Sequence, residues 1–343
     1  MKVSELNNIN LPSKKEEEYL KVDFEKLYKK DFKNIEKYQL DIMGLEIYLD
    51  ERNYDSKLFE VVKTLDNETK VLKITSNTPE PIFLVHKLTE DDTLFTNNLE
   101  ILVESNVKAQ VVEVFATNTA SSYSVLRNIS IGENTEFEYV KVQDYSSDAS
   151  LNYNVKINQG QSSKLNFTNF EYGDGLAINQ YENIITNESC EYNLNALIKL
   201  NNNANCSNLI KTLHDNSDST SNINFKHTLK DSAKAVFKAR SIVSEKGNNS
   251  KAFQNSNTIL LSNDAEIFAQ PHLEIKIDEL EASHGTTTGT LDKEQLLYLQ
   301  SRGISEEKAY DMLLTAFEQQ IYTCVENEDI KEFLANYKRE KYV

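Results

Sequence analysis

The sequence predicts an all-β core, a β-solenoid, flanked by N-terminal and C-terminal helical regions, and three observations lead to this fold class. Apolar and polar residues alternate with a period of two from about residue 95 to residue 278, which is typical of strands with one buried face. No amphipathic helical pattern interrupts that stretch. Hairpin chemistry is scarce, because the chain has only nine glycines and no Asn-Gly step, so a solenoid is favoured over a hairpin-closed sandwich or barrel.

Charge and composition exclude several classes of protein. The chain has 343 residues with 37 Lys and Arg against 54 Asp and Glu, a formal net charge of −17. Because this surplus repels phosphate backbones, nucleic acid is a poor partner. Hydrophobic residues make up 39% of the chain, enough for a core. The apolar runs are shorter than the ~20 residues of a bilayer helix, so we expect no membrane span.

The expected compartment is a reducing cytoplasm. Residues 1–15 carry Asn, Lys and Glu where a signal peptide has its apolar stretch. Cys190, Cys206 and Cys324 are odd in number, widely spaced and without a Cys-x-x-Cys pair, so neither a disulfide framework nor a zinc site is indicated. We interpret these cysteines as small buried apolar side chains rather than ligands.

The N-terminal region, residues 1–94, is predicted to be a helical and α+β region. Ser13 and Glu16 have the spacing of a capping box. An apolar stripe at helical spacing follows and predicts one charged helix: Leu20, Phe24, Leu27 and Tyr28. Short apolar pieces follow at 45–49, 71–74 and 82–85, with a break at Pro79 and Pro81, which indicates a small α+β unit.

The core, residues 95–285, is predicted to contain strands whose starts recur roughly every 11 to 16 residues, with Asn, Ser, Asp and Gly between them. Asn is abundant from Leu151 to Phe225. Asn tolerates the left-handed conformation of tight bends and can hydrogen-bond to a copy of itself one coil above. An AT-rich codon bias explains the same abundance, so both accounts stay open.

The C-terminal region, residues 286–343, is predicted to be a compact helical domain. Asp292 is an N-cap candidate for a first helix that Gly303 ends, and Ser305 is the N-cap candidate of the next helix. Apolar residues at helical spacing continue through Met312, Phe317 and on to the last helix.

Strand parity assigns two of the five histidines. His227 shares the parity of Phe225 and is expected to point into the core, whereas His272 has the opposite parity from Leu273 and should face outward. His86 and His214 have no partner that the sequence identifies.

His284 has a different setting, in a segment from Ala282 to Gly289 that is rich in glycine and hydroxyl residues. We interpret this segment as a loop between the last strand and the first tail helix. His284 is then either an ordinary surface histidine or a functional imidazole whose tautomer the neighbouring hydroxyls fix.

Readable enzyme signatures are absent, because the chain has no phosphate-binding Gly-rich loop, no Gly-x-Ser-x-Gly and no His-Glu-x-x-His. Two pairs of acidic residues, Glu136 with Glu138 and Asp278 with Glu279, could support polysaccharide chemistry on a solenoid. Charged pairs on outward strand faces are more often simply solvated.

A run of ordered motifs begins near Lys238 and resembles the core domain of the SufB/SufD family of iron–sulfur cluster assembly scaffolds. The Leu11 to Tyr19 segment is similar to the SufD amino-terminal signature. The core motifs cover about a hundred residues: Ala239-Arg240-Ser241-Ile242-Val243, Lys251-Ala252-Phe253-Gln254, Leu260-Leu261-Ser262, Pro271-His272-Leu273-Glu274-Ile275, Ala282-Ser283-His284-Gly285, Leu291 to Leu299 and Ser301-Arg302-Gly303-Ile304.

This resemblance implies a right-handed parallel β-helix that forms a heterodimer with a SufB-like subunit, and tail helices that bind SufC, an ABC-type ATPase. The chain itself would then be a SufD-like scaffold and not an enzyme, holding no cofactor stably alone. An iron–sulfur cluster would be assembled transiently together with SufB.

The resemblance also assigns candidate site residues. Ser283, His284 and Gly285 match the motif at the cluster-assembly interface, and His284 is the candidate metal-binding residue. Many relatives have Cys two positions before this histidine, where this chain has Ala282. The thiolates of a cluster should therefore come from the partner, which favours SufD over SufB. The ATPase-binding segment matches at Tyr298, Arg302, Gly303, Ile304, Met312 and Phe317, for which packing within the tail is the structural alternative.

Two other function classes remain open at this stage. One is a β-helix enzyme acting on polysaccharide, and the other is a structural homodimer without a role in iron chemistry. Binding of an ATPase by the tail would separate the scaffold from the enzyme.

Overall fold

The computed structural model describes residues 1–6, 9–37 and 46–342, and these residues form a parallel β-helix. The strands, in chain order, are β1 (Asn34–Lys37), β2 (Glu46–Leu49), β3 (Glu68–Ile74), β4 (Ile82–Leu88), β5 (Thr93–Val103), β6 (Lys108–Thr117), β7 (Ser122–Ile131), β8 (Glu136–Tyr145), β9 (Ser150–Gln159), β10 (Lys164–Gly173), β11 (Leu176–Ile185), β12 (Glu191–Leu200), β13 (Asn205–His214), β14 (Thr220–Leu229), β15 (Lys234–Val243), β16 (Ser250–Leu260), β17 (Glu266–Ile275) and β18 (Leu280–Gly289).

From β3 onward the strands alternate between two parallel sheets, so each coil contributes one strand to each. The odd-numbered strands from β3 onward, together with β1 and β2, form a ten-stranded sheet, here called sheet A. The even-numbered strands from β4 onward form an eight-stranded sheet, here called sheet B. Neighbouring strands in a sheet are therefore one coil apart in the chain, as in the pairing of β16 with β18. The predicted solenoid is confirmed.

Five helices accompany the strands in the described part of the chain. They are α1 (Glu25–Tyr28), α2 (Lys57–Leu65), α3 (Lys293–Ser301), α4 (Glu306–Tyr322) and α5 (Glu328–Tyr342), with single 3-10 turns at Val3–Glu5 and Glu17–Tyr19. The N-terminal segment and α2 pack on sheet A, whereas α4 and α5 pack on sheet B. Within the described ranges no helix is long and apolar enough to cross a membrane.

Asparagine has both of the roles predicted for it. Side-chain amides form a ladder across three coils of sheet B, in which Asn193 donates to Asn166 over 2.8 Å and Asn222 donates to Asn193 over 2.7 Å. The bends repeat a left-handed residue once per coil, and short polar side chains occupy it because they tolerate positive φ: Asn106, Asn134, Ser162, Ser189, Asp218 and Asn249.

The predicted N-terminal helix is wrong. Its capping-box contacts do form, since the Ser13 amide donates to Glu16 Oε1 over 3.0 Å. The chain then makes one 3-10 turn and reaches Lys21, whose φ of 73° ends any helix. α-Helical structure in this stretch is limited to the four residues of α1, and the apolar side chains that suggested one continuous helix, among them Phe24, Leu27 and Tyr28, pack into a cluster on sheet A. Packing against the sheet overrides the local helical preference.

Part of the α+β region belongs to the solenoid. Strand β3 pairs in parallel with β5, and β4 pairs in parallel with β6, so coil stacking begins before residue 95. Strand β18 likewise continues to Gly289. Of the predicted regions, residues 7–8, 38–45 and 343 lie outside the described residues, including the first residue of the apolar piece at 45–49.

Sheet B is buried on both faces where the tail helices cross it. Val112 and Val114, whose alternation predicted a strand with one buried face, point outward and contact the cluster that holds Ile321 and Val325. The buried apolar side chains of the second half of α4 and of α5 belong to this shared cluster: Ile321, Ile330 and Leu334. The tail therefore takes its core from the solenoid, which differs from the expected compact helical domain.

The solenoid interior contains charged side chains that the alternation did not predict. Glu113 forms a 2.7 Å ion pair with Arg127, and both side chains are completely buried. His86 contacts the same carboxylate over 2.8 Å, and the Tyr139 hydroxyl donates to it. The Arg127 charge and the His86 hydrogen bond outweigh burial and lower the pKa of Glu113 to about 2. A second buried pair, Lys141 with Glu171 at 2.9 Å, lies farther along the interior.

The Glu113–Arg127 pair predicts an asymmetric response to mutation. Glu113→Leu leaves the Arg127 charge buried without its partner and should lower the free energy of unfolding by about 3–5 kcal/mol, measured by urea denaturation. The double variant E113L/R127L should lose much less, because no lone charge remains. Since the folded pKa of Glu113 lies below 4.5, its contribution is present above that pH and fades as the pH falls toward 2.

The exposed pair of Lys108 with Glu136, at 2.8 Å, provides the control. Glu136→Gln should change stability by less than about 1 kcal/mol, because an exposed ion pair is screened by water. Equal losses for E113L and E136Q would contradict the prediction.

Candidate functional site

The C-terminal end of the solenoid is open. Strands β17 and β18 are the last members of sheets A and B, and each pairs with a described strand on one side only. Inward-facing residues of β16 are buried, whereas those of β18, His284, Thr286 and Thr288, are exposed. The last coil therefore presents both a free strand edge and a polar inner surface.

His284 lies on strand β18, so its assignment to a loop is wrong. All ten residues of β18 pair in register with β16, and His284 stands opposite Gln254. The glycine and threonine content that suggested a loop reflects an edge strand exposed to solvent. Ala282 stands opposite the buried Ala252 and shares the inward face with His284, so the position of the family cysteine is on the same face as the imidazole.

Ser283 and Gly285 share the strand with His284 but not its face. Alternation along β18 turns both outward, Ser283 beside Phe253 and Gly285 beside Asn255. A Cβ added at Gly285 would lie 3.3 Å from the Asn255 side-chain oxygen, so close packing is its constraint. The expected backbone freedom is not used there, because the described glycines with positive φ are Gly173 and Gly303. The hydroxyls that do share the imidazole face are those of Thr286 and Thr288.

The other histidines are structural. His227 is completely buried beside Phe225, as predicted, and burial lowers its pKa to about 3. His272 is exposed, also as predicted. His86 and His214 are buried, and His214 contacts the Ser221 hydroxyl over 2.8 Å. Strand parity could have placed these last two inside, but their partners lie in other strands.

One of the two acidic pairs proposed for polysaccharide chemistry, Glu136 with Glu138, has structural partners. Glu136 pairs with Lys108 at the surface. Glu138 accepts the backbone N–H groups of Glu326 and Asn327 over 2.6 and 3.0 Å, at the start of α5. Burial raises the pKa of Glu138, and these two N–H groups oppose that shift. Glu138 therefore anchors the segment that leads into α5.

The three cysteines form no disulfide, as their spacing predicted. Cys190 and Cys206 are buried in the solenoid core, and Cys324 is half-buried beneath the tail. Burial raises the pKa of each thiol. Among the described residues no group of three or more His, Cys, Asp and Glu side chains is arranged to hold a metal ion.

Helix α3 carries the first group of tail candidates and ends as predicted. Its N-cap is Asp292, and Gly303, with φ of 83°, closes it by a Schellman motif in which the Ile304 amide bonds the Leu299 carbonyl over 3.2 Å. The Arg302 guanidinium lies 5.4 Å from the Tyr298 ring. Tyr298, Arg302 and Gly303 are exposed, and Ile304 is half-buried.

The two remaining tail candidates, Met312 and Phe317, both lie on helix α4 but differ in exposure. Met312 is exposed, whereas Phe317 is half-buried with Lys226 of β14 over its ring at 3.9 Å. Phe317 therefore has a packing role on the solenoid. The sequence reasoning missed Leu297 and Tyr310, which add to an exposed apolar surface on α3 and α4 with Tyr298 and Met312. These four residues are here called the tail apolar patch.

The second half of α4 and the start of α5 are fixed to sheet B. Glu318, which is buried, pairs with Lys199 over 3.0 Å. The hydroxyls of Tyr322 and Tyr172 lie 2.6 Å apart. The tail apolar patch lies upstream of these contacts, so it projects from a helix whose other end is anchored.

Comparison with known proteins identifies relatives for most of the chain. The family model described as "SUF system FeS cluster assembly, SufBD core domain" matches residues 86–317, from within β4 to within α4. The Iron-sulfur cluster assembly protein SufD of Escherichia coli is 33% identical over 107 residues, which is 31% of this chain and 25% of that protein.

Two longer matches have lower identity. The SufD of Bacillus subtilis is 24% identical over 264 residues, 76% of this chain and 60% of that protein. A SufBD family protein of Synechocystis is 24% identical over 298 residues, 80% of this chain and 64% of that protein. The matches thus span less than two-thirds of the length of these relatives.

Removal of the Glu138 anchor should loosen α5 selectively. Glu138→Ala leaves the amides of Glu326 and Asn327, immediately before α5, without their acceptor, which costs about 1–3 kcal/mol for unsatisfied donors. Hydrogen exchange of residues 327–331 should accelerate by about tenfold, while exchange in β9 stays unchanged. Glu136→Ala, on the same strand face, is the matched control, and equal acceleration in both variants would contradict the anchoring role.

Proposed function

The chain belongs to the SufBD core-domain family of the SUF iron–sulfur cluster assembly system, and on that premise we propose that it is a non-catalytic, SufD-like scaffold subunit. It would act with a SufB-like subunit and a SufC-like ABC ATPase. One observation carries this proposal: a single continuous segment from β18 to α4 presents two uncovered surfaces, a free strand edge bearing His284 and the tail apolar patch.

The free edge of β18 fits a partner that supplies another strand. Unpaired backbone N–H and C=O groups at a sheet edge favour pairing with a second chain. The inner surface there is polar, with His284 and Thr286 exposed beside the buried Ser256. We infer that a SufB-like β-helix continues the stack, and that a homodimer can use the same edge when that partner is absent.

The tail apolar patch fits the ATPase. Exposed Leu297 and Tyr298 on α3 lie upstream of Tyr310 and Met312 on α4, and large exposed apolar side chains of this kind favour burial against a partner. The proposed interface also contains Arg302, Gly303, Ile304 and Phe317. ATP hydrolysis on the partner would move the patch, and the Glu318 and Tyr322 contacts would carry that displacement to sheet B.

The cluster is the cargo of this proposed complex. His284 offers one imidazole nitrogen as a candidate iron ligand or proton carrier, and Ala282 beside it offers no sulfur. The buried Cys190 and Cys206 are held as thiols in the core. We therefore assign the thiolates to the SufB-like subunit, and a cluster would be held transiently with that subunit in the cytoplasm rather than by this chain alone.

Substitution of His284 tests its role in assembly. His284→Ala should leave co-purification with the SufB-like and SufC-like subunits intact, because the backbone of β18 is unchanged. The cluster yield in cells should fall by about tenfold, as for the loss of a ligand or its supporting group. His272→Ala removes an exposed histidine of β17 and should leave the yield unchanged. An unaltered yield in H284A would remove the imidazole from the mechanism.

Substitution of Met312 tests the ATPase interface. Met312→Glu places a charge in the proposed contact and should weaken ATPase binding by about a hundredfold, because the carboxylate must be desolvated without a partner. Met312→Leu keeps the apolar contact and should bind as the wild type does. Calorimetric titration of the ATPase into the full chain measures the affinity of each variant. Unchanged affinity in M312E would show that Met312 does not contact the ATPase.

A further inference from the structure

Gln254 is a fully enclosed polar side chain of β16, one coil beneath the open end of the solenoid. It stands opposite His284 in the parallel ladder of β16 and β18, and its exposed fraction is 0%. Paired residues of adjacent strands are about 4.8 Å apart, so the two side chains are direct neighbours in one inward-facing column. On its other side the column continues with Ile223, which is apolar.

The amide of Gln254 is oriented by two acceptors across the interior. Its Nε2 donates to Ser241 Oγ over 2.7 Å and to the His272 carbonyl over 3.2 Å, both in sheet A. Because a backbone carbonyl can only accept, the amide end that faces it must be the nitrogen. Gln254 Oε1 is then buried without a hydrogen-bond partner. An unsatisfied buried oxygen costs about 1–3 kcal/mol unless a donor reaches it.

The neighbouring donor in this column is the imidazole of His284. We propose that Gln254 is a positioning residue that accepts a ring N–H of His284 and so holds the imidazole in one tautomer and one orientation at the open end. This inference rests on the role proposed for His284 in cluster assembly. It extends that role by identifying a residue of this chain that prepares the imidazole before the partner binds.

The chemical consequence is a directed lone pair. A neutral imidazole has one N–H and one unprotonated nitrogen. When the N–H is bound to Gln254 inside the solenoid, the other nitrogen faces the open end with its lone pair available to iron or to a proton. Without Gln254 the ring is free to exchange tautomers, and only part of the population presents that lone pair outward.

The test measures the tautomer of His284 directly, in the full chain without partners. Selective ¹⁵N-histidine labelling gives two ring resonances per histidine, and comparison with H284A assigns those of His284. At a pH where the ring is neutral, we expect one protonated and one unprotonated nitrogen in the wild type. Gln254→Met preserves length but removes the acceptor, so the two resonances should move toward each other as the tautomers average.

Two further variants serve as rescue and control. Gln254→Glu retains an acceptor and should restore the separated resonances, whereas Ser256→Ala alters the adjacent column under Thr286 and should leave His284 unchanged. If Q254M does not fold, Ser241→Ala frees the amide to rotate and should give partial averaging. Averaged resonances in the wild type, or identical spectra in the wild type and the variant used, would overturn the proposal.

A cellular measurement then connects the tautomer to assembly. Q254M should lower cluster yield severalfold with complex formation intact, and the double variant Q254M/H284A should be no worse than H284A alone. A changed tautomer with an unchanged yield would overturn the positioning role. Failure of the assembly role itself is distinguishable, because it would appear as a normal yield in H284A whatever the spectra show.

Discussion

The rest of the structure depends on the parallel hydrogen bonding of each coil to the coils before and after it. This ladder satisfies the backbone of every interior strand and keeps equivalent positions in columns along the axis. It leaves one edge of the final coil unsatisfied, because β17 and β18 pair with no further strand among the described residues. Strand β18 is consequently exposed at its edge and on its inner face, and His284 is accessible for this reason alone, since Gln254 one coil earlier is enclosed.

The same stacking encloses the interior of the solenoid, where an unpaired charged side chain is energetically costly. Glu113 and Arg127 compensate each other, as do Lys141 and Glu171, and each lone member would be costly. Buried pairs of this kind add little net stability relative to apolar residues. These ion pairs can form in only one register between coils. A shift of one residue would turn the charged side chains outward and separate the partners, so the pairs disfavour a change of register.

Short connections join the two proposed partner surfaces. Only three residues separate the end of β18 at Gly289 from the start of α3 at Lys293, and α4 then returns to sheet B through Glu318. A displacement of the tail by a bound ATPase would therefore act on the last coil through the β18–α3 connection and on β12, three coils earlier, through Glu318. The Glu138 carboxylate at the start of α5 adds a third fixed point, which limits how far the tail can move without disturbing the solenoid.

The sequence by itself determined the features that depend on near neighbours in the chain: the alternating strands, the left-handed polar bends such as Asn134, the caps at Asp292 and Ser305, and the stop at Gly303. It also carried the motifs that revealed the family. Tertiary structure alone decided that the Ser13 segment is not a helix, that Glu138 anchors α5, and that His284 stands above Gln254 on an edge strand. Each of these outcomes arises from contacts between residues a coil or more apart, and local pattern contains no information about which coils meet.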